Sequence, residues 1–120
     1  MNHKRLVWQV ILLLLLSVVS VEATRTTLTH TMLTTTGVSQ QALASNIDRN
    51  YLTIQNTHTA NQIFCKFGVS AVVNEGIRLE VAPNTNSVVV WSDKVPTAAL
   101  NCLADGTATG VLTITEGIGP

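Results

Sequence analysis

Short runs of alternating apolar and polar residues follow one another along most of this chain. Apolar residues alternate with Arg78 and Glu80 between Ile77 and Val81, and with threonine in the segment 111–115. A period of two is typical of strands that bury one face. Turn-forming residues separate the runs about every 8 to 12 residues, and no sustained helical period is present. The pattern predicts an all-β fold after an N-terminal signal helix: a small β-sandwich, Ig-like or jelly-roll-like, of about 6 to 8 strands.

The clearest pair of predicted strands lies between Asn50 and Gly68. Apolar and polar residues alternate on both sides of a polar segment at Asn56–Asn61. Two such runs joined by a short polar connection predict a β-hairpin with one apolar face. Cys65 lies on that face of the second strand.

The N-terminus has the pattern of a secretory signal. Residues 2–5 are polar and basic, residues 6–21 are almost wholly apolar, and small side chains stand at Val21 and Ala23. This arrangement predicts a signal peptide at residues 1–23 that is cleaved after Ala23, and therefore an exported protein that is periplasmic, secreted or virion-associated. The alternative is a membrane anchor formed by residues 6–21, because a span of ~20 apolar residues crosses a bilayer.

The two cysteines, Cys65 and Cys102, are predicted to form a disulfide. Compartments beyond the inner membrane are oxidising, which favours pairing in an exported chain. Cys102 shares its strand face with Leu100 and Ala104, so both cysteines point toward the apolar side. Closing a loop of this length removes chain entropy equivalent to about 4 kcal/mol. The alternative is a pair of unrelated buried thiols.

Residues 24–46 begin with a threonine-rich stretch that allows two interpretations. Threonine is β-branched, so the stretch is compatible with an edge strand that carries Leu28, His30 and Met32 on one side. It is equally compatible with a mobile arm that orders on a partner, which we favour slightly because few apolar residues are available to pack. The sandwich domain is then predicted at residues 47–117, with a short tail at 118–120.

The run Val88–Trp91 is apolar without interruption. Such a strand needs cover on both faces, which predicts either a central strand or a contact with another subunit. The shorter run Ala71–Val73 points the same way. Burial in the core is the interpretation that we favour, and the alternative is a self-association surface that includes Val88, Val90 and Trp91.

No constellation for catalysis, metal binding or nucleic-acid binding stands out. The formal net charge is zero and 12% of residues are charged, so there is no basic surface for phosphates. His30 and His58 stand alone, without the clustered ligands that a metal needs. The carboxylates that a glycosidase-like pair would require mostly lie at predicted turns: Asp48, Glu75, Glu80, Asp93, Asp105 and Glu116. We predict a protein that is not an enzyme and holds no cofactor and no metal.

The order of several phrases resembles small β-sandwich domains of bacteriophage structural proteins. The phrases are RNYLTIQN (49–56), IFCKFG (63–68), GIRLEVAPN (76–84), KVPTAALNCLAD (94–105) and VLTITEG (111–117). The resemblance implies a virion or tail component without catalytic residues. The N-terminal signal is not part of that pattern, and it indicates a protein that reaches the envelope before assembly, or a host surface protein that has borrowed the domain.

Two functional hypotheses follow. The first is an exported, non-enzymatic structural or interaction protein of phage or prophage origin, which self-associates or joins a larger protein assembly and meets a membrane only through an uncleaved N-terminal segment. The second is a periplasmic or secreted module that binds a small ligand or glycan through the loops Asn56–Asn61 and Asp93–Pro96.

Overall fold

The computed structural model describes residues 26–106 and 109–119. Within these residues the chain forms eight strands and one short 3-10 turn. No helix in this part of the chain is long and apolar enough to cross a membrane. The predicted signal peptide at 1–23, with its cleavage position after Ala23, lies outside the described residues.

Two four-stranded antiparallel sheets make up the fold. The strands are β1 (Thr27–Thr35), β2 (Gln40–Leu43), β3 (Arg49–Asn56), β4 (Ile63–Phe67), β5 (Ile77–Leu79), β6 (Val88–Trp91), β7 (Leu100–Ala104) and β8 (Gly110–Ile118). The first sheet has the order β1-β8-β3-β6, and the second has the order β2-β7-β4-β5. The predicted all-β sandwich is confirmed.

The hydrophobic core lies between the two sheets. The alternation in β8 buries Leu112 and Ile114 and leaves the intervening threonines on the other face. β3 contributes Leu52 and Ile54 in the same way, since side chains in a strand point alternately to its two faces. The second sheet adds its own inward residues: Ile63, Cys65, Leu79, Leu100 and Cys102.

The threonine-rich stretch forms an edge strand. β1 pairs with β8 through consecutive residues from Thr27, opposite Ile118, to Thr35, opposite Gly110. Of the two interpretations of this stretch, the structure therefore has the strand and not the arm that we favoured. The sandwich extends from β1 to β8, whereas the predicted bounds 47–117 leave out β1 and β2 and assign Ile118 to a tail.

The predicted hairpin is wrong. β3 belongs to the first sheet and β4 to the second, so the two strands face each other across the core and do not pair. The polar segment between them crosses from one sheet to the other. The alternation within each strand was interpreted correctly, since each strand has one apolar face. These two faces lie on opposite sides of the core and not side by side in one sheet.

Two apolar runs do not occupy the positions in the fold that were predicted for them. The run Val88–Trp91 is not a central strand: β6 pairs only with β3 and forms an edge of the first sheet. The run Ala71–Val73 is not a strand but part of a turn-rich loop, in which Ala71 is buried and the two valines are exposed. Ala71 joins Phe64 and Leu103 in a small second cluster on the outer face of the second sheet.

The predicted disulfide is confirmed. Cys65 in β4 and Cys102 in β7 are direct cross-strand partners, with a Cα–Cα distance of 4.2 Å and an S–S distance of 2.09 Å. The bond lies within the second sheet and closes a loop with a sequence separation of 37. It joins two neighbouring strands that the chain itself connects only through β5 and β6.

Candidate interaction surface

Among the residues that the structure describes, the outer face of the first sheet carries no Asp, Glu, Lys or Arg. We call this surface the uncharged face, and its strand residues are Leu28, His30, Met32, Thr34, Tyr51, Thr53, Gln55, Val88, Val90, Val111, Thr113 and Thr115. The strand alternation explains its composition, because the core takes every second residue of β3 and β8 and leaves three threonines outward together with Tyr51, Gln55 and Val111. The result is a sheet face of hydroxyl, amide and apolar side chains.

Cross-strand rows run across the uncharged face. His30 lies opposite Thr115, which lies opposite Thr53, which lies opposite Val90. The neighbouring row consists of Met32, Thr113, Gln55 and Val88. In each row the two central strands supply polar side chains and the edge strand β6 supplies a valine. The apolar residues are thus concentrated toward the two edges of the sheet.

Four large apolar side chains are exposed on the uncharged face. Met32 is 76% exposed, Leu28 and Val90 are each 54% exposed, and Val88 is 40% exposed. Single exposed apolar residues are ordinary on protein surfaces, but several on one face without a charge indicate a contact surface. Val88 and Val90 were predicted as part of a self-association surface, and the structure places both here.

Trp91, the third residue of that predicted surface, points the other way. It alternates with Val88 and Val90 along β6, so its ring lies against the edge of the core. There it packs edge-to-face with Phe67, with 5.6 Å between the ring centroids and an interplanar angle of 83°. Such pairs stabilise a core by about 0.5 to 1.5 kcal/mol beyond their area. Trp91 therefore anchors β6 and is not part of the uncharged face.

The outer side of the second sheet is different in character. Lys66 Nζ lies 2.7 Å from Glu75 Oε2, and Arg78 Nη2 lies 2.6 Å from Glu80 Oε1. These ion pairs keep that side solvated, while a loop covers the neighbouring Phe64. The two faces of the sandwich thus present opposite chemistry to solvent.

A groove of about 710 Å³ lies at one end of the uncharged face. Its lining consists of Thr26, Leu28, His30, Asn50, Tyr51, Thr53, Ser92 and Thr115. Gly117 has the outward orientation in β8 at this end, opposite Leu28 and Tyr51. A Cβ at Gly117 would lie 2.8 Å from carbon atoms of both Thr26 and Tyr51. The absence of a side chain at Gly117 therefore lets Thr26 and Tyr51 pack directly against the backbone of β8.

Polar groups in the groove are partly satisfied by one another. His30 Nδ1 lies 2.9 Å from Thr115 Oγ1, and Thr53 Oγ1 donates to the Tyr51 hydroxyl at 2.8 Å. Asn50 donates through Nδ2 to Thr26 Oγ1, whereas its Oδ1 is buried and accepts no hydrogen bond from a described residue. A neutral, hydroxyl-rich lining of this kind is suited to an uncharged polar molecule.

The loop proposed above for ligand binding uses its polar atoms internally. Asn56 is fully buried, donates to the carbonyls of Asn61 and Glu80, and accepts from His58 N at 2.9 Å. His58 Nδ1 in turn accepts from the backbone N–H groups of Ala60 and Asn61. These contacts fix the crossing between the sheets and leave few of its polar atoms for a ligand.

A buried ion pair was not predicted from the sequence. Glu116 was grouped among six carboxylates that mostly lie at predicted turns, but it continues the inward alternation of Leu112 and Ile114, and its Oε1 accepts from Arg49 Nε at 2.7 Å. Arg49 also donates to the carbonyls of Pro96, Ala98 and Ala44. The alternation in β8 was the available signal for Glu116. Arg49 has no such signal, because a register shift between Arg49 and Tyr51 turns it inward.

The other residues considered for catalysis or metal binding lie apart from one another or already form ion pairs and hydrogen bonds. Glu75 and Glu80 form the ion pairs on the second sheet, and Gln62 Nε2 also donates to Glu80. His30 and His58 belong to the groove and to the sheet crossing respectively. Over residues 26–106 and 109–119, no three His, Cys, Asp or Glu side chains come together as a metal site.

Comparison with models of protein families, with curated proteins and with solved structures finds no match for this chain. The resemblance to bacteriophage structural domains therefore gains no support from these comparisons and stays a prediction.

Proposed function

We propose that this protein is an exported, non-enzymatic structural protein that associates with further copies of itself through the uncharged face. The observation that carries the proposal is the contrast between the two outer faces of the sandwich. Within residues 26–106 and 109–119, one face has ion pairs, and the other has four exposed apolar side chains and no Asp, Glu, Lys or Arg. Apolar area without charged residues at its centre characterises the core of protein–protein contacts.

Export is part of the proposal. A disulfide between buried cysteines is stable in an oxidising compartment and rare in the cytosol. Fractionation of the producing cells, with intact mass on the recovered protein, tests this point. We expect the oxidised protein outside the cytosol, with a mass that corresponds to a start after Ala23. A cytosolic protein with free thiols would contradict it.

The association is tested by placing a charge on the uncharged face. Val90→Lys puts an ammonium group on the uncharged face, whereas Val69→Lys puts the same group on a loop outside it. The two valines are 54% and 55% exposed, so the substitutions are matched in the surface that they change. Burying an unpaired charge is costly, so we expect Val90→Lys to weaken association by about tenfold or more.

Sedimentation velocity over a micromolar concentration series measures the effect on the exported protein. We expect wild type and Val69→Lys to associate alike and Val90→Lys to associate more weakly, by about tenfold or more, over the same range. Strictly monomeric wild type would contradict self-association. Equal weakening by both variants would show that added charge acts wherever it is placed, and would remove the uncharged face from the proposal.

The wider setting that we propose is a virion or cell-surface assembly of phage or prophage origin. It is supported by the phrases quoted above and by the absence of charge on the face that would meet other subunits. Recovery of the protein with released particles after a density gradient, and its loss from particles carrying Val90→Lys, would support this setting. Recovery only as free protein would count against it.

A second candidate function is binding of a neutral polar molecule, such as a glycan, in the groove. The groove lining favours it, because its described residues offer hydroxyl and amide groups and no Asp, Glu, Lys or Arg. Tyr51→Phe removes a hydroxyl from the groove lining and keeps the ring. A sugar panel that raises the melting temperature of wild type but not of Tyr51→Phe would favour this function, and no response from wild type would exclude the sugars tested.

A further inference from the structure

Edge strands of this sandwich differ in how they are protected from pairing with other chains. Among the described strands the four edges are β1, β6, β2 and β5. β2 and β6 have four residues each, β5 has three with Arg78 at its centre, and β2 also has a register shift. Short strands, bulges and charges are the usual devices that prevent edge-to-edge pairing.

β1 has none of these devices. It has nine residues, TLTHTMLTT, without proline, glycine or a formal charge, and it pairs with β8 without a register shift. Most of its residues are exposed on both faces. A long, regular, uncharged edge of this kind is a template for another strand.

Hydrogen bonding identifies which backbone groups of β1 point away from the sheet. Val111 O accepts from Thr57 N at 2.9 Å, and Gly119 N donates to Asp48 O at 3.2 Å, so odd-numbered residues of β8 bond toward β3. The even-numbered residues of β8 then bond toward β1, where their partners are the odd-numbered residues. The N–H and C=O groups of Leu28, His30, Met32 and Thr34 therefore point to the free edge.

The outward edge is closed at one end. Gln40 Nε2 donates to the carbonyl of Thr34 at 2.7 Å, so a side chain of the same molecule already occupies that position. This bond also agrees with the outward direction assigned to the even-numbered residues. The segment left for a partner strand consists of Leu28, His30 and Met32, and it is symmetric about His30.

We propose that β1 pairs antiparallel with β1 of a second copy, about a two-fold axis at His30, to give one continuous eight-stranded sheet. In this register Leu28 of each copy lies opposite Met32 of the other, on the uncharged face. The absence of charge lets two identical strands meet without repulsion. The pairing rests on the proposed self-association, and it joins the uncharged faces of two copies edge to edge at β1, at the opposite edge of the sheet from Val90. An isologous contact of this type is what two-fold symmetry requires.

Cysteine scanning along the edge tests the register. His30→Cys places the two sulfur atoms across the two-fold axis, where Cα atoms of a hydrogen-bonded pair are about 5.5 Å apart, within disulfide range. Thr34→Cys, on the same face of the same strand, is the matched control, because the proposed register keeps the two copies of residue 34 far apart. We expect a covalent dimer from His30→Cys after mild oxidation with diamide, and none from Thr34→Cys, on non-reducing gels.

Proline provides a test that needs no oxidation. The N–H of His30 points to the free edge, so His30→Pro removes a bond to the second copy and none to β8. His30→Thr keeps the N–H and serves as the control. Sedimentation velocity is expected to show about tenfold weaker association for His30→Pro than for His30→Thr. Their melting temperatures are expected to remain similar.

The outcomes separate this inference from the proposed function. Monomeric wild type would overturn both. Association that Val90→Lys weakens, without cross-linking at residue 30, would keep the proposed function and overturn the edge pairing. Cross-linking through Met32→Cys in place of His30→Cys would overturn the register. Protection of the edge amides against hydrogen exchange in a monomer would show that another segment of the same chain covers β1, and would also overturn the pairing.

Discussion

Arg49 holds three separate parts of the chain together at one end of the sandwich. Its side chain is fully buried, and it donates to Glu116 in β8 and to the carbonyls of Ala44, Pro96 and Ala98 in two loops. A buried guanidinium is tolerated only when its charge and its donors are compensated. Glu116 supplies the charge and the loops supply the remaining acceptors.

We therefore expect Glu116→Gln to lower the free energy of unfolding by about 3 kcal/mol, because it leaves the buried guanidinium without a counter-charge. Glu75→Gln is the matched control, since Glu75 pairs with Lys66 where its side chain is 56% exposed. Its effect is expected to stay below about 1 kcal/mol. Urea unfolding measures both, and similar losses from the two variants would contradict the assigned role of Arg49.

Asn56 is a second buried polar residue, and its side-chain amide provides hydrogen-bond donors that a carboxylate lacks. Its Nδ2 faces the carbonyl oxygens of Asn61, Leu79 and Glu80 at 2.8 to 3.4 Å. The amide supplies donors to these oxygens. A carboxylate at the same position would supply none and would bring a negative charge beside three acceptors.

Asn56→Asp is expected to cost roughly 3 kcal/mol of unfolding free energy, from lost donors and a buried charge. Asn84→Asp changes the same functional group at an exposed position, where Oδ1 accepts from Asn86 N and Thr85 Oγ1 and where aspartate caps equally well. Thermal unfolding followed by circular dichroism compares the two. A stable Asn56→Asp protein would show that the crossing between the sheets does not depend on this amide.

At the scale of the elements, the sequence predicted the positions of the strands better than their pairing into sheets. Alternation places Leu100, Cys102 and Ala104 on one face whatever strand lies beside them, so the disulfide was predictable from local pattern alone. The polar segment Asn56–Asn61 is compatible with a hairpin and with a crossing between sheets. Only the non-local pairing of β3 with β8 decides between the two.

The interaction surface was predictable in part for the same reason. Val88 and Val90 were identified from an apolar run, but the run did not show that Trp91 turns inward to meet Phe67. The rest of the uncharged face combines residues from β1, β3 and β8 that are far apart in sequence. No single stretch of the chain contains the whole uncharged face. The length of the free edge of β1 is also not visible in its own sequence, because Gln40 from β2 occupies the carbonyl of Thr34 at one end.

The molecule as a whole depends on a core of modest size and one covalent link. A sandwich of this length buries a limited apolar area, so a single disulfide contributes a large share of net stability. Cys65 and Cys102 close their loop within the second sheet, which restricts the unfolded chain without joining the two sheets to each other.

The double variant Cys65→Ala/Cys102→Ala is expected to lose about 4 kcal/mol of unfolding free energy, from the loop entropy alone. The denaturant slope is expected to rise, because the unfolded chain exposes more surface once the link is absent. Urea unfolding of both proteins gives the two quantities. An unchanged slope together with unchanged stability would contradict a role for the disulfide in restricting the unfolded state.

The pairing of Thr27 with Ile118 has a mechanical consequence. The chain enters β1 and leaves β8 at the same end of two adjacent antiparallel strands. A force that separates these two points peels β1 from β8 one bond at a time and does not shear all of the bonds together. Once the strands have separated, the disulfide keeps the residues between positions 65 and 102 out of the extended length. The molecule should open at low force and then stop short of its full contour length.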